Sequence, residues 1–412
     1  MDKTKVKSLQ DLVRLAAEEY GDGAFVKEKA GKEVVEKSFS QFFTDTRKVA
    51  SFLLEAMGAE KIHAATIGLT SYAYLVGYFG TIMGGNVTVP LDAQLACEDL
   101  CDLMNRADVN VFFYDARYAP MLPAIKMNCP EIKVYIALQP HDGAENVLTE
   151  ILEKYDEAKI YDIPSESLAS IVYTSGTTGK AKGVMLTHGN LIDNAMCQDN
   201  EASPEDSLLS VLPIHHVFCF ACDILLSLRY GTTICVNDSM MRISQNLKLF
   251  QPTTLLLVPM IADTIYKKIK AAAAVKPDVS IIEIGRGVFG ERLKRIYSGG
   301  AYLNPELLKA YREMGYIICQ GYGMTECGPL ISYDHHYDYV PGSCGQILKG
   351  IMKVRIDSDD PYNKVGEIQV SGENVMRGYY KNEEATKNVF TEDGWLRTGD
   401  LGTIDKDNRI YI

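Results

Sequence analysis

The stretch Tyr173-Thr174-Ser175-Gly176-Thr177-Thr178-Gly179-Lys180-Ala181-Lys182-Gly183 constrains this chain more than any other. Apolar runs at 168–172 and 184–186 bracket it, so it reads as a glycine loop between two buried strands. Glycines permit positive φ, successive N–H groups can then turn inward, hydroxyls can donate, and two lysines follow directly. Such a loop suits a polyanion. A surface linker shares this composition, but linkers are seldom flanked by strand-like apolar runs.

Neither common nucleotide fingerprint fits. Ala181 follows Lys180 where a Walker A loop needs Ser or Thr, and Gly176, Gly179 and Gly183 lack Rossmann spacing. A second segment, Gln320-Gly321-Tyr322-Gly323-Met324-Thr325-Glu326, supplies what the first lacks. A Tyr between glycines can lay its ring on an adenine, and Glu326 is a hard oxygen ligand suited to Mg²⁺. Together the two segments offer complementary parts of one site for ATP.

In this order and separation, the segments resemble the adenylate-forming superfamily of acyl-CoA synthetases, luciferases and peptide-synthetase adenylation domains. Leu212-Pro213-Ile214-His215-His216-Val217-Phe218 is similar to the family's acyl-site segment, with His216 on its recurrent His. Ser298-Gly299-Gly300-Ala301-Tyr302-Leu303 resembles the adenine-edge loop, and Gly342-Ser343-Cys344-Gly345 the turn beyond it. Asp393-Gly394-Trp395-Leu396-Arg397-Thr398-Gly399-Asp400 resembles the segment whose Asp holds the ribose hydroxyls. Departures from the pattern are Ala181 for Pro, Cys219 for Gly, Cys344 for Val, and Asn408 for a turn Gly; Asn also visits the left-handed region.

The resemblance implies a role for each matched residue. Thr174, Ser175, Gly176, Thr177, Thr178 and Gly179 cradle phosphate, and Lys182 supports charge. Tyr322 stacks on adenine, Gly300 and Ala301 line its edge with Gln320, Gly321 and Gly323 nearby, and Asp400 accepts from ribose. Thr325 contacts the α-phosphate, Glu326 with Thr174 holds Mg²⁺, and His216 borders the reacting carboxylate. The implied reaction is attack of a carboxylate on the α-phosphate of ATP, giving an acyl-adenylate and pyrophosphate. Thioester formation on coenzyme A, or on a pantetheinyl carrier protein, follows. The acyl-site segment carries His215 and His216 where amino-acid-activating relatives place an Asp, and 290–301 is most similar to fatty-acyl synthetases, so a fatty acid is expected. An amino-acid adenylation domain and a non-catalytic nucleotide-binding module are the alternatives. Family members continue into a small mobile domain that carries a catalytic Lys. No residue here matches that Lys, so a large amino-terminal portion with low activity is expected.

The expected fold is α/β: two layered αβα units at 1–164 and 165–340, and a small β-barrel-like unit at 341–412. Helical spacing runs over 39–54, strand patterns over 64–69, 109–113 and 132–137, and 254–258 is expected as a central strand. At 412 residues, 47% hydrophobic and 23% charged, the composition is that of an ordinary soluble, multi-unit enzyme. A net charge of −12 argues against nucleic-acid partners, so Lys180, Lys182 and Arg397 must meet the nucleotide's charge locally. The apolar run 73–83 is too short to span a membrane and reads as a buried helix. Ten scattered cysteines and a start without a signal-peptide core point to the cytoplasm. Cys219 and Cys222 form C-x-x-C inside an apolar helical run, which favours buried thiols over a zinc site.

Overall fold

The computed structural model describes residues 1–58, 60–160, 162–174, 180–198 and 202–412. Among them the strands form three sheets. A six-stranded sheet runs Val134–Ala137, Val111–Tyr114, His63–Ile67, Val87–Leu91, Leu168–Thr174, Lys182–Thr187, parallel but for the last pair. Its inner strands are mostly apolar, as expected of a sheet covered on both faces; every residue of Val111–Tyr114 is buried.

A nine-stranded sheet runs Gln346–Ile347, Leu330–Tyr333, Ile318–Gly323, Arg295–Ser298, Thr254–Leu257, Ser207–Ser210, Thr233–Val236, Ala24–Ala30, Glu33–Ser38. Thr254–Leu257 lies at its centre, as expected. The third sheet is antiparallel and orders Met352–Asp357, Gly366–Gly372, Leu396–Ile404 and Ile410–Tyr411. Asn408, in the turn before the last strand, takes φ 60°, the left-handed conformation read from its sequence position.

Both large sheets cross the division expected at 164–165. Ala24–Ala30 pairs in parallel with Thr233–Val236 (Val26 opposite Ile234), and Leu168–Thr174 pairs with Val87–Leu91 through Thr88 and Ser170. The physical reason is edge coverage: each early or late strand fills an open edge of a sheet built mostly from elsewhere in the chain.

Two helices stitch the layers together. Phe39–Met57 starts at Ser38, whose hydroxyl accepts from the Gln41 amide, and it buries Phe42, Val49 and Leu53. Tyr72–Met83 is buried but for the partly exposed Ala73, which accounts for its almost wholly apolar sequence. Among the described residues no helix is long and apolar enough to cross a membrane.

Candidate active site

Thr174 ends one strand and Lys182 begins the next, and the two residues face each other across an antiparallel ladder. The segment between them is the glycine loop, of which Ser175, Gly176, Thr177, Thr178 and Gly179 lie outside the described residues. Arg106 braces the mouth of this hairpin. Its guanidinium sits 5.4 Å from the Tyr173 ring centroid and donates to the Ala181 carbonyl, so one side chain grips both strands. Lys180 is exposed.

Lys182 points across the hairpin to Tyr379, its Nζ 5.1 Å from the ring centroid. The Tyr379 hydroxyl donates to Glu326 Oε1 at 2.7 Å, and its backbone bridges to Val184. The Met376 amide donates to the Glu326 carbonyl at 2.7 Å. Burial, then the Glu326 carboxylate, raises the Tyr379 phenol above its ordinary range, so it stays a donor at neutral pH. Tyr379 thus joins the lysine read as charge support to the carboxylate read as a metal ligand. Glu326 is 8% exposed, and among the described residues no Lys or Arg forms an ion pair with it. A buried carboxylate with only a phenol for company fits a hard cation such as Mg²⁺.

Tyr322 and Asp400 also meet: the phenol donates to Asp400 Oδ2 at 2.9 Å. Tyr322 is buried while Asp400 is exposed, which leaves the second carboxylate oxygen toward solvent. Gln320 Nε2 donates to the Ser343 carbonyl at 2.9 Å, tying the strand to the turn read as its neighbour in the site. Arg397 pairs with Glu367 at 3.0 Å and is partly exposed. A Cβ on Gly323 would lie 2.1 Å from the Pro329 carbonyl oxygen, so only glycine lets the two backbones approach.

Beside this region lies a cavity of about 560 Å³. His216, Gly300, Gly321, Gly323 and Thr325 all line it, with Val211, Leu212, Val217, Phe218, Val258, Ile261 and Leu330 as apolar wall. Residues from three distant segments therefore converge on one space. Ala301, next to Gly300, is exposed instead. The His215 and His216 rings lie 4.1 Å apart, and His215 Nε2 is 3.8 Å from Asp92 Oδ2. Burial lowers both imidazole pKa values, that of His215 to about 4 with His216 adding to the shift, so both are neutral at pH 7. A neutral His216 can donate to a carboxylate without forming a fixed ion pair.

Cys219 is buried, with its Sγ 3.3 Å from the Leu212 carbonyl, and all ten cysteines are free thiols. Tyr379, Arg106 and Asp92 escaped the sequence reading because each is a single residue with no local pattern.

The family described as AMP-binding enzyme matches residues 13–380. Over 280 residues the chain is 32% identical to 4-coumarate-CoA ligase 1 of Narcissus pseudonarcissus, covering 63% of this chain and 49% of that relative. It thus spans about half the length of the curated relatives it matches. A long-chain-fatty-acid-CoA ligase from Archaeoglobus fulgidus superposes with a TM-score of 0.85 at 20% identity, covering 99% of this chain and 84% of that one. The N-terminal domain of FACL13 from Mycobacterium tuberculosis does so with 0.83 at 21% identity, covering 98% and 99%. At these identities the likeness speaks for the fold, which is the expected α/β architecture of adenylate-forming enzymes.

Proposed function

From the premise that this chain belongs to the AMP-binding enzyme family, we propose that it takes part in joining a carboxylic acid to a thiol through an acyl-adenylate. ATP and the acid would give the adenylate and pyrophosphate, and coenzyme A would then take the acyl group as a thioester. The observation that carries this reading is the convergence of His216, Gly300, Gly321, Gly323 and Thr325 on one cavity beside the Lys182–Tyr379–Glu326 chain.

Transfer of a nucleotidyl group needs in-line placement and neutralised charge more than an acid–base pair. In the proposed scheme the acid lies along the apolar wall, its carboxylate beside His216 and Thr325. Tyr322 lies against the adenine, and the free oxygen of Asp400 accepts from the ribose. Thr174 and the glycine loop hold phosphate, with Lys182 offsetting its charge. Glu326 and Thr174 would hold Mg²⁺, which supplies further charge neutralisation when bound. Tyr379 orients the Glu326 carboxylate by holding one oxygen.

The apolar wall supports an acid with an apolar body, and a fatty acid is the first class to try. The curated relatives are named for 4-coumarate, so an aryl acid belongs in the same screen. Their names also support coenzyme A over a carrier protein as acceptor. Ten free thiols support a reducing compartment such as the cytoplasm.

Calorimetric titration with ATP, AMP and acyl-sulfamoyl-adenosines, which mimic the adenylate, tests the proposal. The acyl-sulfamate should bind at least tenfold more tightly than AMP, since it fills both regions. Equal affinity for the two, or no nucleotide binding, would overturn it.

A further inference from the structure

The helical run that follows His216 is not a regular α-helix. Val217–Cys219 is α, Phe220–Leu225 is π, and Leu226–Tyr230 is α again. A π segment wraps one extra residue into the turn at some cost in hydrogen bonding, and such segments are retained mostly at functional sites. This one carries Asp223, which is 1% exposed. Ser210 Oγ donates to Asp223 Oδ2 at 2.8 Å and Cys219 Sγ to the same oxygen at 3.6 Å, while among the described residues Asp223 Oδ1 is buried with no hydrogen-bond partner. Burial pushes the Asp223 pKa up to about 7. A role in holding Ser210 alone does not explain the carboxylate, because an Asn would make that bond without the desolvation cost.

Asp223 faces a cavity of about 70 Å³. Phe218, Gly321 and Leu330 line this cavity and also the larger one beside His216, so the small space adjoins the proposed acid site. Arg295 lies on the same cavity but is already engaged by Asp206 at 2.8 Å. The cavity's surface is largely apolar; among the described residues that line it, Ser207 Oγ, Ser298 Oγ and Asp223 Oδ1 are buried without a hydrogen-bond partner, and of these the hydroxyls can donate whereas the ionised carboxylate can only accept. Asp223 also stands seven residues beyond His216, well down the same helical run. That separation places a complementary group at the far end of an acid, not on the carbon beside its carboxylate.

Resting on the adenylation reading above, we propose that Asp223 is a specificity-determining residue that selects acids carrying a hydrogen-bond donor, a hydroxyl or an amino group, at the end distal to the carboxylate. The unpartnered Oδ1 accepts from that group, and the rest of the substrate stays against carbon. A buried acceptor of this kind discriminates strongly, because a methyl-ended acid leaves it unpaired.

Three acyl-sulfamoyl-adenosines of one chain length, ending in methyl, hydroxyl or amino, are titrated into the full chain by calorimetry, with AMP as reference. The donor-ended analogues should bind about tenfold or more tightly than the methyl-ended one. Asp223→Leu should abolish that preference. Asp223→Asn, which keeps an acceptor but loses the charge, should retain preference for hydroxyl and lose it for amino, so it tells the two donors apart. AMP binding reports that each variant is folded. Equal binding of the three analogues, or a preference that survives Asp223→Leu, would overturn the assignment. If AMP binds and none of the analogues does, the acid lies elsewhere and the assignment fails; if AMP does not bind either, the adenylation reading fails first.

Discussion

The two regions that meet at Thr325 differ in how their polar groups are satisfied. On the nucleotide side, Tyr322 holds Asp400, Tyr379 holds Glu326, and Lys182 lies over the Tyr379 ring, so each group has a protein partner before any ligand arrives. On the side read as the acid site, Asp223 Oδ1 is buried and, among the described residues, has no hydrogen-bond partner. The first arrangement is preorganised: its groups pay no reorganisation when charge must be met. The second is costly when empty and is relieved by the right ligand, which is how a site distinguishes one acid from another.

If that contrast is sound, substitutions on the two sides should fail in different ways. The largest effect on ligand binding is expected for Glu326→Ala, which removes the proposed metal carboxylate. MgATP affinity should fall roughly a hundredfold while that of magnesium-free AMP changes little, measured by calorimetry with and without chelator. An equal loss for both ligands would place Glu326 in structural support instead.

Asp223→Asn comes next, and it should stabilise. The folded-state pKa of about 7 lies above the ordinary carboxyl value of 3.8, so the folded chain keeps a proton that the unfolded chain releases. Stability from this group is complete below about pH 4 and is lost as pH rises through about 7. The facing titratable groups, Cys219 and Cys222, are thiols with raised pKa and stay neutral across that window. The variant should exceed wild type by roughly 3–4 kcal/mol at pH 8, with the gap closing toward pH 4 in urea melts. A gap that widens on acidification would contradict the assigned cause.

Tyr379→Phe removes the hydrogen bond to Glu326 but not the ring under Lys182. MgATP binding should weaken about tenfold, in line with one bond to a charged acceptor. Arg106→Ala is expected to be smallest. It leaves the hairpin ladder intact but releases its mouth, so ATP should bind a few-fold more weakly, with AMP less affected because it lacks the outer phosphates. A loss larger than that of Tyr379→Phe would mean that the loop, not Glu326, dominates phosphate binding.

The same contrast explains what was legible in the sequence. His216, Tyr322, Thr325, Glu326 and Asp400 sit in short motif strings that could be picked out locally; His216 and Thr325 line one cavity, Tyr322 holds Asp400, and Glu326 is held by Tyr379. Thr254–Leu257 was readable as a central strand because buried parallel strands are apolar on both faces. Asp223 was hidden inside an apolar run, and Tyr379 stands in no motif of its own. Their roles arise from neighbours far along the chain: Tyr379 reaches Glu326 across 53 residues. Nor does any local signal encode that Ala24–Ala30 would pair with Thr233–Val236, which is why a division at 164–165 looked natural.

Gly299 carries one last implication. A Cβ there would come 2.8 Å from Phe218 Cζ and 3.1 Å from the Gly321 carbonyl oxygen. Phe218 lines the larger cavity, and in the proposed scheme the loop of Gly299 adjoins the adenine edge, so the two compartments would share a partition with no spare thickness. Bulk added on either face must be yielded by the other, and a tail too wide for its channel should be felt as a misplaced nucleotide.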